Sequence, residues 1–86
     1  MYKVIIKKSA IKELENISTT FRLKIIEKID DLATDPRPQG VRKLENSLNS
    51  YRIRVGNYRV IYTIQDQNLF VEVIKVADRK EAYRSK

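Results

Sequence analysis

The residues of this chain best suited to chemistry are arginines and a tyrosine. Arg52, Arg54 and Arg59 fall within the single stretch Tyr51 to Tyr62, and Arg79 and Tyr83 lie four apart near the C-terminus. A guanidinium is a planar fork of fixed charge that matches phosphate geometry. Cutting RNA with its own 2′-hydroxyl has three requirements. A base takes the 2′ proton, positive charge neutralises the phosphorane, and an acid protonates the leaving 5′-oxygen. An arginine cluster meets the second, because preset donors aimed at developing charge cost no reorganisation. Tyr83 meets the first only if neighbouring guanidinium groups pull its pKa down from about 10. Other chemistries have no support. The chain has no His and no Cys, so the usual general base, thiolate chemistry and the commonest metal ligands are missing, and no metal or other cofactor is expected. Two glycines cannot build a phosphate-cradling loop. Asp30-Asp31 reads as solvated charge on a polar helix face.

The charge is concentrated where those arginines lie. The net charge is +7 over 86 residues, and residues 37–59 hold six Lys or Arg against one Glu. A solvated basic surface is the plain reading, but crowding on one predicted sheet face favours a polyanion or an acidic partner.

The element that must position these groups is a hairpin. Gly56-Asn57 supplies residues that tolerate positive φ in a tight two-residue turn. With that loop, Val55 faces Tyr58, Arg54 faces Arg59 and Ile53 faces Val60. Alternation then puts Tyr51, Ile53, Val55, Tyr58, Val60 and Tyr62 on a core face. Arg52, Arg54 and Arg59 share the other face with Ile61 and Thr63. Like charges directly opposite one another destabilise a sheet, so a surface that keeps them together is suited to holding an anion.

The rest of the chain supports that hairpin. Tyr2 to Lys7 reads as an opening strand. Ser9 is expected to cap a first helix with Ile11, Leu14 and Ile17 on its apolar stripe. A second helix is expected from about Thr20 to Ala33, with Phe21, Ile25, Ile29 and Leu32 on one face. Asp35-Pro36-Arg37-Pro38-Gln39-Gly40 ends it, and a polar connection through Arg42-Lys43-Leu44 leads to the hairpin. Leu69 to Val76 forms a further strand after a turn at Asp66-Gln67-Asn68. If Gln67-Asn68 is its loop, Val71 and Val73 share the core face with Ile64 and Tyr62, and Glu72 and Ile74 lie beside Thr63 and Ile61. Asp78 is expected to cap a short helical tail carrying Arg79 and Tyr83 on one side. The expected fold is one α+β domain over residues 1–86, ordered β-α-α-β-β-β, with a helical hairpin packed on an antiparallel sheet. No run is apolar and long enough to span a membrane, no signal peptide is apparent, and the cytoplasm is the expected compartment.

Three stretches together carry a family resemblance: Lys43-Leu44, the hairpin Tyr51 to Tyr62, and Val76 to Arg84 with Asp78, Arg79 and Tyr83. With the helix stop at Asp35-Pro36 and the element order, the chain resembles the RelE/ParE superfamily of toxins. The resemblance implies the toxin half of a type II toxin–antitoxin pair. In the RelE branch it implies a ribosome-dependent endoribonuclease that cuts mRNA in the A site, leaving a 2′,3′-cyclic phosphate and a 5′-hydroxyl, without a metal. In the ParE branch it implies a gyrase inhibitor that acts by binding. It also implies residue roles. Arg59 and Arg79 contact the scissile phosphate. Arg52 and Arg54 give electrostatic support or act as base, the latter disfavoured because Arg stands where relatives often have Lys. Tyr83 stacks on the attacking nucleotide or serves as general base. Asp78 stands where many relatives have His or Lys. Arg42, Lys43 and Arg84, with Arg52 and Arg54, are the expected RNA-binding cations. The implied partners are mRNA, the ribosome and an antitoxin from the same operon. Its acidic or amphipathic helix would lie along the helical hairpin and sheet edge and reach Arg79 and Tyr83.

Overall fold

The computed structural model describes residues 1–45 and 47–78. Its elements are β1 (Lys3–Ile6), α1 (Lys8–Glu15), α2 (Thr19–Asp31), β2 (Arg42–Lys43), β3 (Ser50–Val55), β4 (Tyr58–Gln65) and β5 (Phe70–Asp78). The five strands form one sheet in the order β1-β5-β4-β3-β2. Both helices pack on the same face, α1 against β5 and α2 against β3. The expected α+β arrangement of a helical hairpin on a sheet is therefore what the chain adopts.

One pairing departs from the antiparallel expectation. β1 runs parallel to β5, with Val4 opposite Val71 and Ile6 opposite Val73. The hairpins make β2 to β5 antiparallel in turn, but β1, on the open side of β5, is joined to the other strands only through the two helices that follow it. No tight turn dictates its direction. The sheet is thus mixed, and β2, read from sequence as connection, adds a two-residue strand on the opposite edge.

The apolar stripes form the core as expected, with one exception. Ala10, Leu14, Ile17, Ile25, Ile29 and Leu32 of the helical layer are buried against Ile53, Val60, Tyr62, Ile64, Val71 and Val73, whereas Ile11 remains 42% exposed. Helix α1 starts one residue before Ser9, with Lys7 at its N-cap, and Ser18 precedes α2. Gly56 adopts φ +59 in the β3–β4 turn, and a Cβ there would stand 3.0 Å from the Phe21 ring. Both its dihedral and the close approach of α2 require glycine at this turn. Phe21 also tilts against Tyr58, ring centroids 5.6 Å apart.

Strand β5 contains an irregularity. Tyr62 pairs with Val73 but Ile61 pairs with Lys75, so Ile74 is an extra residue. An unbroken ladder would have set Lys75 opposite Val60 on the core face. The bulge sets Val76 there instead. Beyond Ile6, β5 has no strand on its β1 side. Glu13 of α1 takes that place: its carboxylate accepts the Val76 N–H at 2.7 Å and the Lys75 ammonium at 3.1 Å. Among the described residues, no helix is long and apolar enough to cross a membrane.

Candidate functional site

The site grows from the turn at Gly56-Asn57. Its two-residue loop locks the register expected from sequence, with Arg54 opposite Arg59, Ile53 opposite Val60 and Val55 opposite Tyr58. Because Arg54 and Arg59 are direct cross-strand partners, they share a sheet face. Arg52 is two residues along β3 on that same face and lies opposite Ile61. β2 extends the row, since Arg42 pairs with Arg52. Four guanidinium-bearing positions thus occupy neighbouring places on three strands, on the face opposite the helices. Arg42 and Arg54 are exposed, whereas Arg52 and Arg59 are half-buried.

Gly40, Arg42, Arg52 and Arg54 line a hollow of about 250 Å³. Among the described residues, no carboxylate lines it. In a depression of this make-up, the chemistry on offer is anion binding by forked donors. No His or Cys exists to hold a metal, and no acidic cluster among the described residues could do so.

Lys43 is not part of this group. It pairs with Tyr51, which belongs to the core face, so alternation sends it to the opposite side of the sheet from Arg42. Adjacent basic residues cannot both face one surface of an extended strand. Asp78 is the last residue of β5, opposite Tyr58. The helical tail expected after it, with Arg79, Tyr83 and Arg84, lies outside the described residues.

Arg37, counted in the basic stretch, serves a different purpose. Its guanidinium makes a two-pronged ion pair with Asp66, Nη2 to Oδ2 at 2.8 Å and Nη1 to Oδ1 at 3.1 Å. Its Nε donates to the Tyr51 hydroxyl at 3.3 Å, and the group stacks over the Tyr51 ring at 5.1 Å. Tyr2 donates its hydroxyl proton to Asp66 at 2.6 Å. Arg37 and Tyr2 together hold the Asp66 carboxyl at about 2, well below its ordinary value. Tyr62, fully buried and stacked on Tyr51, donates to the Pro36 carbonyl at 2.7 Å. Burial pushes its phenol far up, so it stays neutral. This network pins the loop that carries Gly40. Its members are drawn from five separate segments, and no local spacing in the sequence announces it.

The chain matches a family model along nearly its whole length. Residues 4–83 match the model described as ParE toxin of type II toxin-antitoxin system, parDE. The Toxin RelE of Mycobacterium tuberculosis is 32% identical over 85 residues, covering 96% of this chain and 87% of that protein. Among solved structures, the archaeal RelE-RelB complex from Pyrococcus horikoshii superposes with a TM-score of 0.82 at 31% identity, covering 91% of this chain and 94% of that one. The isolated E. coli RelE toxin superposes with a TM-score of 0.79 at 28% identity, covering 96% and 92%.

Proposed function

This chain belongs to the RelE/ParE toxin superfamily of toxin–antitoxin systems, and from that premise we propose that it is a ribosome-dependent endoribonuclease that cleaves mRNA. The observation that carries the reading is the arginine row, with Arg54 directly opposite Arg59 and Arg52 and Arg42 beside them.

The RNA 2′-oxygen attacks the adjacent phosphorus and gives up its proton. The bond to the 5′-oxygen breaks, and that oxygen takes a proton as it leaves. The products are a 2′,3′-cyclic phosphate and a 5′-hydroxyl. Arg59 binds the non-bridging oxygens as charge develops, supported by Arg54 and Arg52, and Arg42 binds backbone phosphate nearby. Fixed donors of this kind typically contribute two to three orders of magnitude each, roughly 10² to 10³ in rate. Arg79 is assigned to the same phosphate, and Tyr83 to proton transfer or to stacking on the attacking nucleotide. Arg84 contributes backbone binding. Mutual repulsion among the guanidinium groups keeps the sheet surface receptive to an anion. The ribosome orients the mRNA, which suits a small site without a strong base.

The test is primer extension on translated mRNA with Arg59→Ala and Tyr83→Ala variants. Loss of cleavage in both is expected, and undiminished cleavage in both removes the site. The ParE name of the matching family model favours a second reading, gyrase inhibition by binding. Inhibition of DNA supercoiling by the purified protein, without RNA cleavage, would select it.

The relative from Pyrococcus horikoshii was solved as a complex with RelB. We assign this chain a cognate antitoxin likewise, whose acidic or amphipathic segment neutralises the basic face.

A further inference from the structure

Two hollows meet at Gly40. One is the arginine hollow already described. The other, about 220 Å³, shares Gly40 and Arg54 with it and is bounded on the helix side by Ile53, Pro38 and Gln39, with Lys28 and Asp31 of α2. The two differ in chemistry. The first offers guanidinium groups around a glycine. The second offers apolar surface with one amide, one carboxylate and one ammonium, the mix typical of small-molecule sites. Gly40 stands between them at φ +89, and a Cβ built on it would meet nothing within 4 Å, so the space beside it is open. The Arg37 and Tyr62 contacts hold the loop that carries Pro38, Gln39 and Gly40.

An anion joined to a flat, partly apolar group with donors and acceptors on its rim is a nucleotide. We infer that the joined hollows are a nucleotide subsite, with a backbone phosphate in the arginine hollow and the attached base in the hollow of Ile53, Pro38 and Gln39. This rests on reading the arginine row as RNA-binding, and it assigns base discrimination to residues outside that row. The polar set gives it a preference. The Gln39 amide carries both a donor and an acceptor, and the Asp31 carboxylate accepts only. Amide and carboxylate side chains are the usual partners of the exocyclic amino groups of adenine and cytosine. The subsite therefore prefers those bases to uracil.

The test is an NMR titration of the full chain with inorganic phosphate, AMP, CMP and UMP. AMP and CMP are expected to shift the Gln39, Gly40 and Lys28 amides and to bind about fivefold tighter than phosphate or UMP, the lower end for one base contact. Gln39→Ala abolishes that advantage and leaves phosphate binding intact, whereas Arg42→Ala weakens phosphate and nucleotides alike. In primer extension, Gln39→Ala still cuts but redistributes the cleavage sites among bases. Nucleotides that bind no better than phosphate, or shifts confined to the arginine row, overturn the subsite. So does an unchanged cleavage preference in Gln39→Ala, which leaves the nuclease reading standing. The converse result, AMP shifts at Gln39 in a protein that cuts no mRNA, sinks the nuclease reading and keeps the subsite.

Discussion

Arg37 and Arg54 are the same residue type on one small molecule, in opposite surroundings. Arg37 has an aspartate clamped across it, a tyrosine ring beneath it and a phenol on its edge. Arg54 has another arginine directly across the ladder, and the arginine hollow, one of two that it helps line, has no acid among the described residues. The first arrangement spends the charge within the fold. The second leaves a surface whose best complement is an external anion. A count of basic residues cannot tell the two apart, but the partner opposite each guanidinium can.

The contrast breaks most sharply at Arg59 and Arg54. Replacing either with Ala is expected to lower mRNA cleavage by about 10² to 10³. For Arg54→Ala the melting temperature should hold or rise, because a like-charged cross-strand pair is relieved. Arg37→Ala should do the reverse, melting earlier while cleaving within a few-fold of the parent. Primer extension and thermal denaturation on all three variants measure both axes, and an Arg37→Ala variant as inactive as Arg59→Ala would collapse the distinction. A middle-sized effect is expected at Tyr62. Tyr62→Phe leaves the Pro36 carbonyl without its buried donor, at a cost of about 1 to 2 kcal/mol in urea unfolding. Salt sharpens the comparison further. Four guanidinium contacts predict a slope near −3 in log affinity against log salt for single-stranded RNA, at about 0.7 per phosphate neutralised. Arg42→Ala should reduce the slope by about 0.7, and Arg37→Ala should leave it unchanged. The smallest effect is on acid stability. The folded state holds the Asp66 carboxyl at about 2, below its ordinary 3.8, so the ion pair stabilises the fold at pH above about 4. That contribution disappears as pH falls through about 2. Asp66→Asn should melt below the parent at neutral pH, and the gap should close toward pH 2.

What could be read in the sequence was what short-range chemistry dictates. Gly56-Asn57 is a local device, and it set the partners of Arg54, Ile53 and Val55 correctly because a two-residue loop leaves one register. The helical stripes were legible for the same reason, apart from Ile11. The pairing of Val71 and Val73 with Ile64 and Tyr62 also followed from the turn, although the turn itself is a 3-10 segment at Asp66–Asn68. The parallel docking of β1, the bulge at Ile74 and the partnership of Arg37 with Asp66 are different. Each depends on segments far apart in the chain, and no residue nearby constrains it. Lys43 shows a second limit. Its type suggested the arginine face, but the two-residue strand that sends it to the other side was invisible as a pattern. Gln39 was legible only as part of a helix stop. Its place beside the second hollow depends on a loop held by Tyr51, Tyr62 and Asp66, far off in the chain.

The carboxylate of Glu13 has a consequence for the far end of β5. By filling in for a strand that ends too early, it ties the last residues before Arg79 to a helix laid down in the first fifth of the chain. The N-terminal helix therefore acts as a gauge for the end of β5, and Glu13→Ala should blunt cleavage without touching a single residue of the basic row.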